Sequence, residues 1–313
     1  MRLRSLLFVP GDRPDRFTKA AASGADALIL DLEDSVAPER KGDARIAVRE
    51  WLARERRVRT FVRVNPLDSG LIEYDLAAVL EGSPDGLVLP KAEGAVSVRA
   101  LVERAGGVAP PILPIATETP AAIFELGSYR DVAAQLVGVT WGAEDLPAAI
   151  GAATSREDDG GYTPPYEMVR ALALFGAHAA GVAAIETVFP RIDAVEALAD
   201  YVQRARRDGF TGMMAIHPAQ VETINAGFTP SSQELAHAQA VVNAFAAAPG
   251  AGVLKLDGKM IDRPHLAQAW RILAMGGIQG RGSGVRYQAF PPIRRRAMIA
   301  DCQISAPMKD GHE

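Results

Sequence analysis

Short apolar runs recur along the chain at Ser5–Pro10, Ala27–Asp31, Thr60–Val64, Gly86–Pro90, Ile112–Ala116, Leu136–Trp141, Ala183–Val188 and Gly212–Ile216. Each has the length of a buried strand and is too short for a helix. Between most of them lie stretches of helical character: Arg13–Ser23, Arg40–Arg54, Ala95–Arg104, Tyr166–Ala180 and Ala194–Arg207. In the last, Val195, Leu198, Ala199, Val202 and Ala205 repeat at helical spacing. Strands buried on both faces read as continuous apolar runs, and parallel neighbours need helical crossovers. Eight such units in ~215 residues predict an α/β fold of the (β/α)8, or TIM, barrel type. A doubly wound open sheet is the alternative, but eight strands exceed its usual number.

Beyond the eighth unit the pattern changes. Ser231–Ala248 predicts a helix capped by Ser231 or Ser232, with Glu234 in its first turn. Gly252–Ile261 predicts a hairpin turning at Asp257-Gly258, and Arg263–Met275 a further helix. From Gly276 no periodicity remains, and the Gly-rich stretch that follows is flexible by composition. The expected organisation is a barrel over 1–228, a C-terminal helix–hairpin–helix extension over 229–275, and a flexible or irregular tail over 276–313.

Composition narrows the function classes. With 48% hydrophobic and 23% charged residues, the 313-residue chain has material for a large core. Lys and Arg number 34 against 38 Asp and Glu, so no basic excess points to nucleic acid. The single cysteine, Cys302, forms no internal disulfide and no cysteine zinc site, which suits a reducing cytosol. No apolar run approaches the ~18 residues of a membrane span, and the first run is too short for a signal-peptide core. The expectation is a cytoplasmic protein with neither a membrane nor a nucleic-acid partner.

In such barrels chemistry collects where strands pass into the following loops. Here those ends are polar: Pro-Gly-Asp-Arg after the first run, Asp31, Glu33 and Asp34 after the second, Arg63 and Asn65 on the third, and Lys91 and Glu93 after the fourth. Thr117-Glu118-Thr119 follows the fifth, Gly142-Ala143-Glu144-Asp145 the sixth, and His217 the eighth. Acids from three ends, Asp31/Glu33, Glu118 and Asp145, suit a hard divalent cation such as Mg2+ or Mn2+, which takes one or two carboxylates and keeps waters. The same acids can instead pair with Arg63, Lys91 and helix N-termini. Arg63 reads either as a fixed cation for a carboxylate or developing enolate, or as a buried salt bridge to Asp31 or Glu33. Lys91 invites a Schiff-base reading, but neighbouring acids favour a protonated amine. His217, ahead of Pro218, reads as a helix cap before a catalytic group.

The segments SLLFVPGDRPDRF (5–17), LDLEDSVAP (30–38), VRVNP (62–66), LPKAE (89–93), WGAEDL (141–146), AIHPAQV (215–221) and DGKMIDRP (257–264) resemble the HpcH/HpaI aldolase and citrate lyase β-subunit superfamily. Within it the chain is similar to the citrate lyase β-like acyl-CoA lyases, over about residues 3–275. The resemblance implies a barrel assembling as trimers or hexamers, with Mg2+ held by Glu118 and Asp145 and with Arg63 as the strand-three arginine. It implies that Asp262 reaches a neighbouring subunit's site, with the extension acting as an intersubunit lid. Backbone amides of Gly142, Ala143, Glu144 and Asp145 would hold the oxo-acid carboxylate, Glu33 would belong to the catalytic set, and Arg13, Arg16 and Lys19 would contact CoA. The implied reaction is cleavage or formation of a 3-hydroxyacyl-CoA such as malyl-, β-methylmalyl- or citramalyl-CoA. Its products are acetyl- or propionyl-CoA and glyoxylate or pyruvate. Alternatives are a malyl-CoA thioesterase, a citryl lyase subunit acting on an acyl-carrier-protein thioester, and a non-catalytic acyl-CoA-binding scaffold. One departure stands out. Many relatives read Ile-Glu-Thr-Ala-Xxx-Gly around the strand-five ligand, whereas this chain reads ATETPAA at 116–122.

Overall fold

The computed structural model describes residues 2–277, which fall within one compact unit. The Gly-rich run from residue 278, Arg294–Arg296 and Cys302 lie outside the described residues. Eight strands alternate with helices: β1 Ser5–Pro10, β2 Ala27–Asp31, β3 Arg59–Arg63, β4 Gly86–Leu89, β5 Ile112–Pro114, β6 Gly138–Thr140, β7 Ala183–Glu186 and β8 Gly212–Ala215. The surrounding helices are α1 Pro14–Ala21, α2 Lys41–Leu52, α3 Ile72–Val79, α4 Gly94–Arg104, α5 Pro120–Glu125, α6 Leu146–Ile150, α7 Pro164–Ala180, α8 Val195–Asp208 and α9 Pro218–Gly227. All eight runs predicted as strands are strands, although β5 and β6 are cut to three residues each.

The strands pair in parallel in the order β5-β4-β3-β2-β1-β8-β7-β6. The two edge strands meet through isolated parallel bridges, Ile112 with Leu136 and Ile115 with Thr140. The sheet is therefore a (β/α)8 barrel, and the open-sheet alternative is excluded. Period-two alternation explains its core. Leu6, Ala27, Ile29, Phe61, Val88, Leu113, Ile115, Ile185 and Met214 form one apolar cluster inside the ring. Their neighbours Leu7, Val9, Leu28, Leu30, Val62, Leu87 and Leu89 pack outward against the helices in a second, larger cluster. Gly86 has to be glycine, because a Cβ there would lie 2.2 Å from the Phe61 ring.

The remaining described residues form α10 Ser232–Ala247, the antiparallel hairpin β9 Val253–Leu256 with β10 Lys259–Asp262, and α11 Arg263–Met275. Ser231 and Glu234 complete a capping box on α10. Asp257 and Gly258 both take left-handed backbone angles, as a two-residue hairpin turn of this kind requires. The extension has its own apolar cluster around Val241, Phe245, Ile261 and Leu273. An ion pair between Arg206 and Glu234 links it to α8. Short helices α3, α5, α6 and α9, and a 3-10 segment over Leu126–Gln135, lie outside the predicted helical stretches. With ten residues or fewer, they show too little periodicity to stand out in sequence.

Candidate active site

The β2–β3 register places Asp31 directly opposite Arg63. Both continue the inward-facing parity of Ile29 and Phe61, so the two charges meet at the barrel mouth. Arg63 grips Asp31 with two parallel hydrogen bonds, Nε to Oδ1 at 2.7 Å and Nη2 to Oδ2 at 2.6 Å. Its Nη1 lies 2.8 Å from Glu33 Oε2, and its guanidinium sits 4.9 Å over the Phe8 ring. The Lys91 ammonium donates to Glu33 Oε1 at 2.8 Å. Burial pushes the Asp31 carboxyl up, but the Arg63 fork and charge, with donors from Ser35 and Glu33, outweigh it and hold it below the ordinary range. Burial also drives Glu33, and there it prevails over Arg63 and Lys91, so this carboxyl is raised. Lys91 is desolvated, but Glu33, Glu118 and Asp34 more than compensate and raise its pKa. The amine is protonated, against the Schiff-base reading. Arg63 is thus both a salt-bridge partner and a fixed cation. Asp31 uses two of its five N–H donors, and Glu33 Oε2 makes no hydrogen bond despite the close Nη1.

The β5 and β6 ends are different. Glu118 is 5% exposed, and its Oε2 accepts from the Lys91 amide at 2.6 Å. Lys91 adopts a left-handed φ of +50° to present that amide, a local strain of about 1 kcal/mol or more for a non-glycine residue. Burial, with the negative charges of Asp145 and Glu33 added, pushes Glu118 up to about 8. Gly142 packs against it, since a Cβ there would stand 3.0 Å from Glu118 Cγ and 3.3 Å from Oε1. Thr117 bridges the two strand ends: its Oγ1 accepts from the Gly142 amide at 3.0 Å and donates to the Gly142 carbonyl at 2.9 Å. Asp145 sits half-buried at the N-cap of α6 without capping it.

This donor set fits a hard cation. Two carboxylates lie at neighbouring strand ends, the charge of Asp145 adding to burial in raising Glu118, and a glycine stands beside Glu118. Among the described residues no three His, Cys, Asp or Glu side chains form a preformed cage. A two-carboxylate site completed by water and substrate oxygens is the arrangement Mg2+ tolerates.

The other predicted residues fall as follows. The Gly142 amide, expected to face a substrate carboxylate, is occupied by Thr117, so Ala143, Glu144 and Asp145 remain as donors with no hydrogen bond among the described residues. Arg13 stands at the N-cap position of α1 without capping it and forks onto Asp15, while Arg16 and Lys19 stand exposed on the same helix. His217 is the N-cap of α9, its Nδ1 accepting from the Ala219 amide at 3.2 Å. Asp262 caps α11 and pairs with His265 at 2.5 Å. That hydrogen bond lowers its pKa, so the desolvated, raised carboxyl of a proton carrier does not exist within one chain.

Two positions escaped the sequence reading. Asp75, fully buried on α3, accepts from Arg45 Nε, the Asn65 amide and Asn65 Nδ2, each at 2.7 Å. Asn65 Nδ2 also bonds the Leu32 carbonyl, so Asp75 braces the loop that carries Glu33. Its signal was a charge at helical spacing among buried Ile72, Leu76 and Val79. Glu186 faces outward from β7 and binds Trp141 Nε1 and Arg170 Nε. It anchors the tryptophan next to Gly142. Its signal was an acid inside an apolar run.

The match to known proteins agrees with this geometry. Residues 4–218 match the family model described as HpcH/HpaI aldolase/citrate lyase. A citrate lyase subunit beta-like protein of Mycobacterium tuberculosis is 36% identical over 277 residues, 87% of this chain and 94% of that protein. A (3S)-malyl-CoA thioesterase of Cereibacter sphaeroides is 33% identical over 280 residues, 87% of this chain and 93% of that protein. The crystal structure of M. tuberculosis CitE in complex with magnesium, acetoacetate and coenzyme A superposes with a TM-score of 0.75 at 36% identity, covering 88% of this chain and 98% of that one. With a buried acid at the end of β5, a second acid after β6 and an arginine on β3 at one barrel mouth, the chain belongs to the HpcH/HpaI aldolase/citrate lyase family of carbon–carbon lyases.

Proposed function

We propose that the protein is a cytoplasmic, Mg2+-dependent lyase that cleaves or forms a 3-hydroxyacyl-CoA of the malyl-, β-methylmalyl- or citramalyl-CoA type. The products are acetyl- or propionyl-CoA and glyoxylate or pyruvate. The observation that carries the reading is the buried Glu118, paired electrostatically with Asp145 and set beside the Arg63 cation. The CoA-, acetoacetate- and magnesium-bound structure of the M. tuberculosis relative supports it.

Glu118 and Asp145 would hold the ion, which would supply Lewis-acid polarisation of the substrate's carboxylate and hydroxyl oxygens. Glu33 is the base. Its carboxyl is raised by burial, and Oε2 is buried with an acceptor position unused. It takes the 3-hydroxyl proton, the C2–C3 bond breaks, and the electron pair moves onto the thioester carbonyl oxygen. The N–H groups of Arg63 left free by Asp31 face that developing charge from a position needing no rearrangement. Such a donor is worth about 3–4 kcal/mol. Asp262 of a second copy returns a proton to the α-carbon once burial against the first copy's mouth offsets its His265 pairing. Arg16 and Lys19, with Arg13 once released from Asp15, receive the CoA phosphates.

The homo-oligomer, a trimer or hexamer, has support in an exposed apolar stripe. Met168, Leu172 and Phe175 follow one another on α7, and Phe124 of α5 is 87% exposed. Phe175→Glu is expected to lower the assembly state in light scattering and, by removing Asp262 from the neighbouring mouth, turnover as well.

The deciding experiment follows 2-oxo acid and free CoA released from the three thioesters with and without Mg2+. Mg2+-dependent oxo acid without excess free CoA establishes the lyase. Free CoA alone establishes the thioesterase, a reading supported by the C. sphaeroides relative. Inactivity on every CoA ester, with turnover of an acyl-carrier-protein thioester, transfers the assignment to a citrate lyase subunit. CoA binding indifferent to Mg2+, without turnover, leaves a scaffold.

A further inference from the structure

The β5–β6 seam is where the barrel is least tightly laced. Every other neighbouring pair shares a continuous ladder, whereas β5 and β6 meet only at two isolated bridges. The last backbone bond of the seam toward the mouth runs from the Ala116 amide to the Thr140 carbonyl at 2.9 Å. One residue further, the lacing is continued by a side chain. The Thr117 hydroxyl, fully buried, both accepts from and donates to the backbone of Gly142. Gly142 in turn stands beside Glu118, so near that a Cβ there would lie 3.0 Å from Glu118 Cγ, and three residues later the chain reaches Asp145.

We propose that Thr117 is a positioning residue: its hydroxyl ties the strand end bearing Glu118 to the loop bearing Asp145. It thereby sets the spacing of the two acids and withdraws the Gly142 amide from substrate binding. The proposal rests on the reading of Glu118 and Asp145 as the metal pair. An isoleucine in place of Thr117 can fill the volume but cannot hydrogen-bond, so it leaves the Gly142 N–H and C=O to find other partners. A hydroxyl here does for the two acids what hydrogen-bonded neighbours of metal ligands do generally, which is to hold them in place before the ion arrives. With one donor of the 142–145 segment already spent, the oxo-acid carboxylate is held by the amides of Ala143, Glu144 and Asp145. Pro120, at the first position of α5, and the Thr119 cap stiffen the same strand end from its other side.

The test compares wild type with Thr117→Val, which keeps the shape and loses the hydroxyl, and with Thr117→Ser, which keeps the hydroxyl. Mg2+ binding is measured by titration calorimetry without substrate, and exchange of the Gly142 amide by NMR or mass spectrometry. The expected result is a slowly exchanging Gly142 amide in wild type, ~10-fold weaker Mg2+ binding in Thr117→Val, and recovery to within about threefold in Thr117→Ser. In turnover, kcat falls in the valine variant while KM for the oxo acid does not rise, since the Gly142 amide is released to it. Equal Mg2+ affinity in the valine variant, or a freely exchanging Gly142 amide in wild type, overturns the proposal. The exchange measurement decides even if the valine variant does not fold. Failure of wild type itself to bind Mg2+ overturns the metal reading and is seen separately, before any variant is compared.

Discussion

The two halves of the barrel mouth carry similar numbers of acids and treat them in opposite ways. At the ends of β2, β3 and β4, Asp31 and Glu33 are held by Arg63 and Lys91. Each charge there has its counter-charge. At the ends of β5 and β6, Glu118 and Asp145 are served by one backbone amide, a hydroxyl clamp and a glycine. Among the described residues no cation is bonded to either, and burial, with the charges of Asp145 and Glu33 added, pushes Glu118 up to about 8. The first half has its counter-charges as folded, whereas among the described residues the second has none. On the proposed function, arginine and lysine on the first side and bare acids on the second would separate anion stabilisation from cation binding across one mouth.

This contrast predicts substitutions of opposite sign. Glu118→Gln replaces a buried carboxyl that must take up a proton to fold at neutral pH, its pKa being raised to about 8, while keeping an acceptor for the Lys91 amide. The Mg2+-free protein is expected to melt at a higher temperature, and turnover to drop about 10^3-fold or more, the equivalent of ~4 kcal/mol. Lower stability in the glutamine variant would break the comparison. Arg63→Met works the other way. It strands Asp31 and Glu33 without their counter-charge and is expected to cost about 3–5 kcal/mol in urea unfolding. Arg63→Lys keeps a charge but loses the fork, so it separates folding from chemistry: most stability returns, while kcat stays down about 10^2–10^3-fold.

The first half was also the more legible one. The apolar runs located every barrel strand, and a buried salt bridge from Arg63 to Asp31 or Glu33 was one of the two readings that the sequence left open for that arginine. The β2–β3 register then sets Asp31 opposite Arg63. The second half resisted because its relations are not periodic. Nothing in a string of letters says that Thr117 reaches Gly142, 25 residues away, or that this bond removes an amide expected to bind substrate. Asp262 resisted for another reason. The resemblance sent it to a neighbouring subunit's site, and within one chain it is a helix cap paired with His265.

Lys91 sits on the boundary between the halves, its ammonium on Glu33 and its amide on Glu118. Lys91→Met removes only the first of these. Loss of one charge-assisted bond to Glu33 is expected to lower kcat by about tenfold to a hundredfold without abolishing it. Borohydride treatment of wild type with oxo acid should trap no covalent adduct. A trapped adduct at Lys91 would reinstate the imine chemistry that a protonated, acid-paired amine disfavours.

The smallest effect expected is the acid limb of stability, and it isolates Asp31. Its carboxyl is buried, yet Arg63 and nearby donors hold it below the ordinary carboxylate value near ~3.9. Between that value and its lower folded pKa, the unfolded chain binds a proton that the folded chain refuses. Folding stability therefore rises with pH in this window. The contribution is fully present above about pH 4 and is lost as pH falls through the folded pKa. Urea midpoints measured from pH 2.5 to 6 should decline on acidification in wild type, and the decline should be shallower in Asp31→Asn, which has no proton to take up. At neutral pH the asparagine variant is the less stable of the two, because Arg63 has lost half of its fork, so the two curves converge as pH falls. Parallel curves would mean that the Arg63–Asp31 pair persists with Asp31 protonated, and the first half of the mouth would then be held by shape and hydrogen bonding more than by charge.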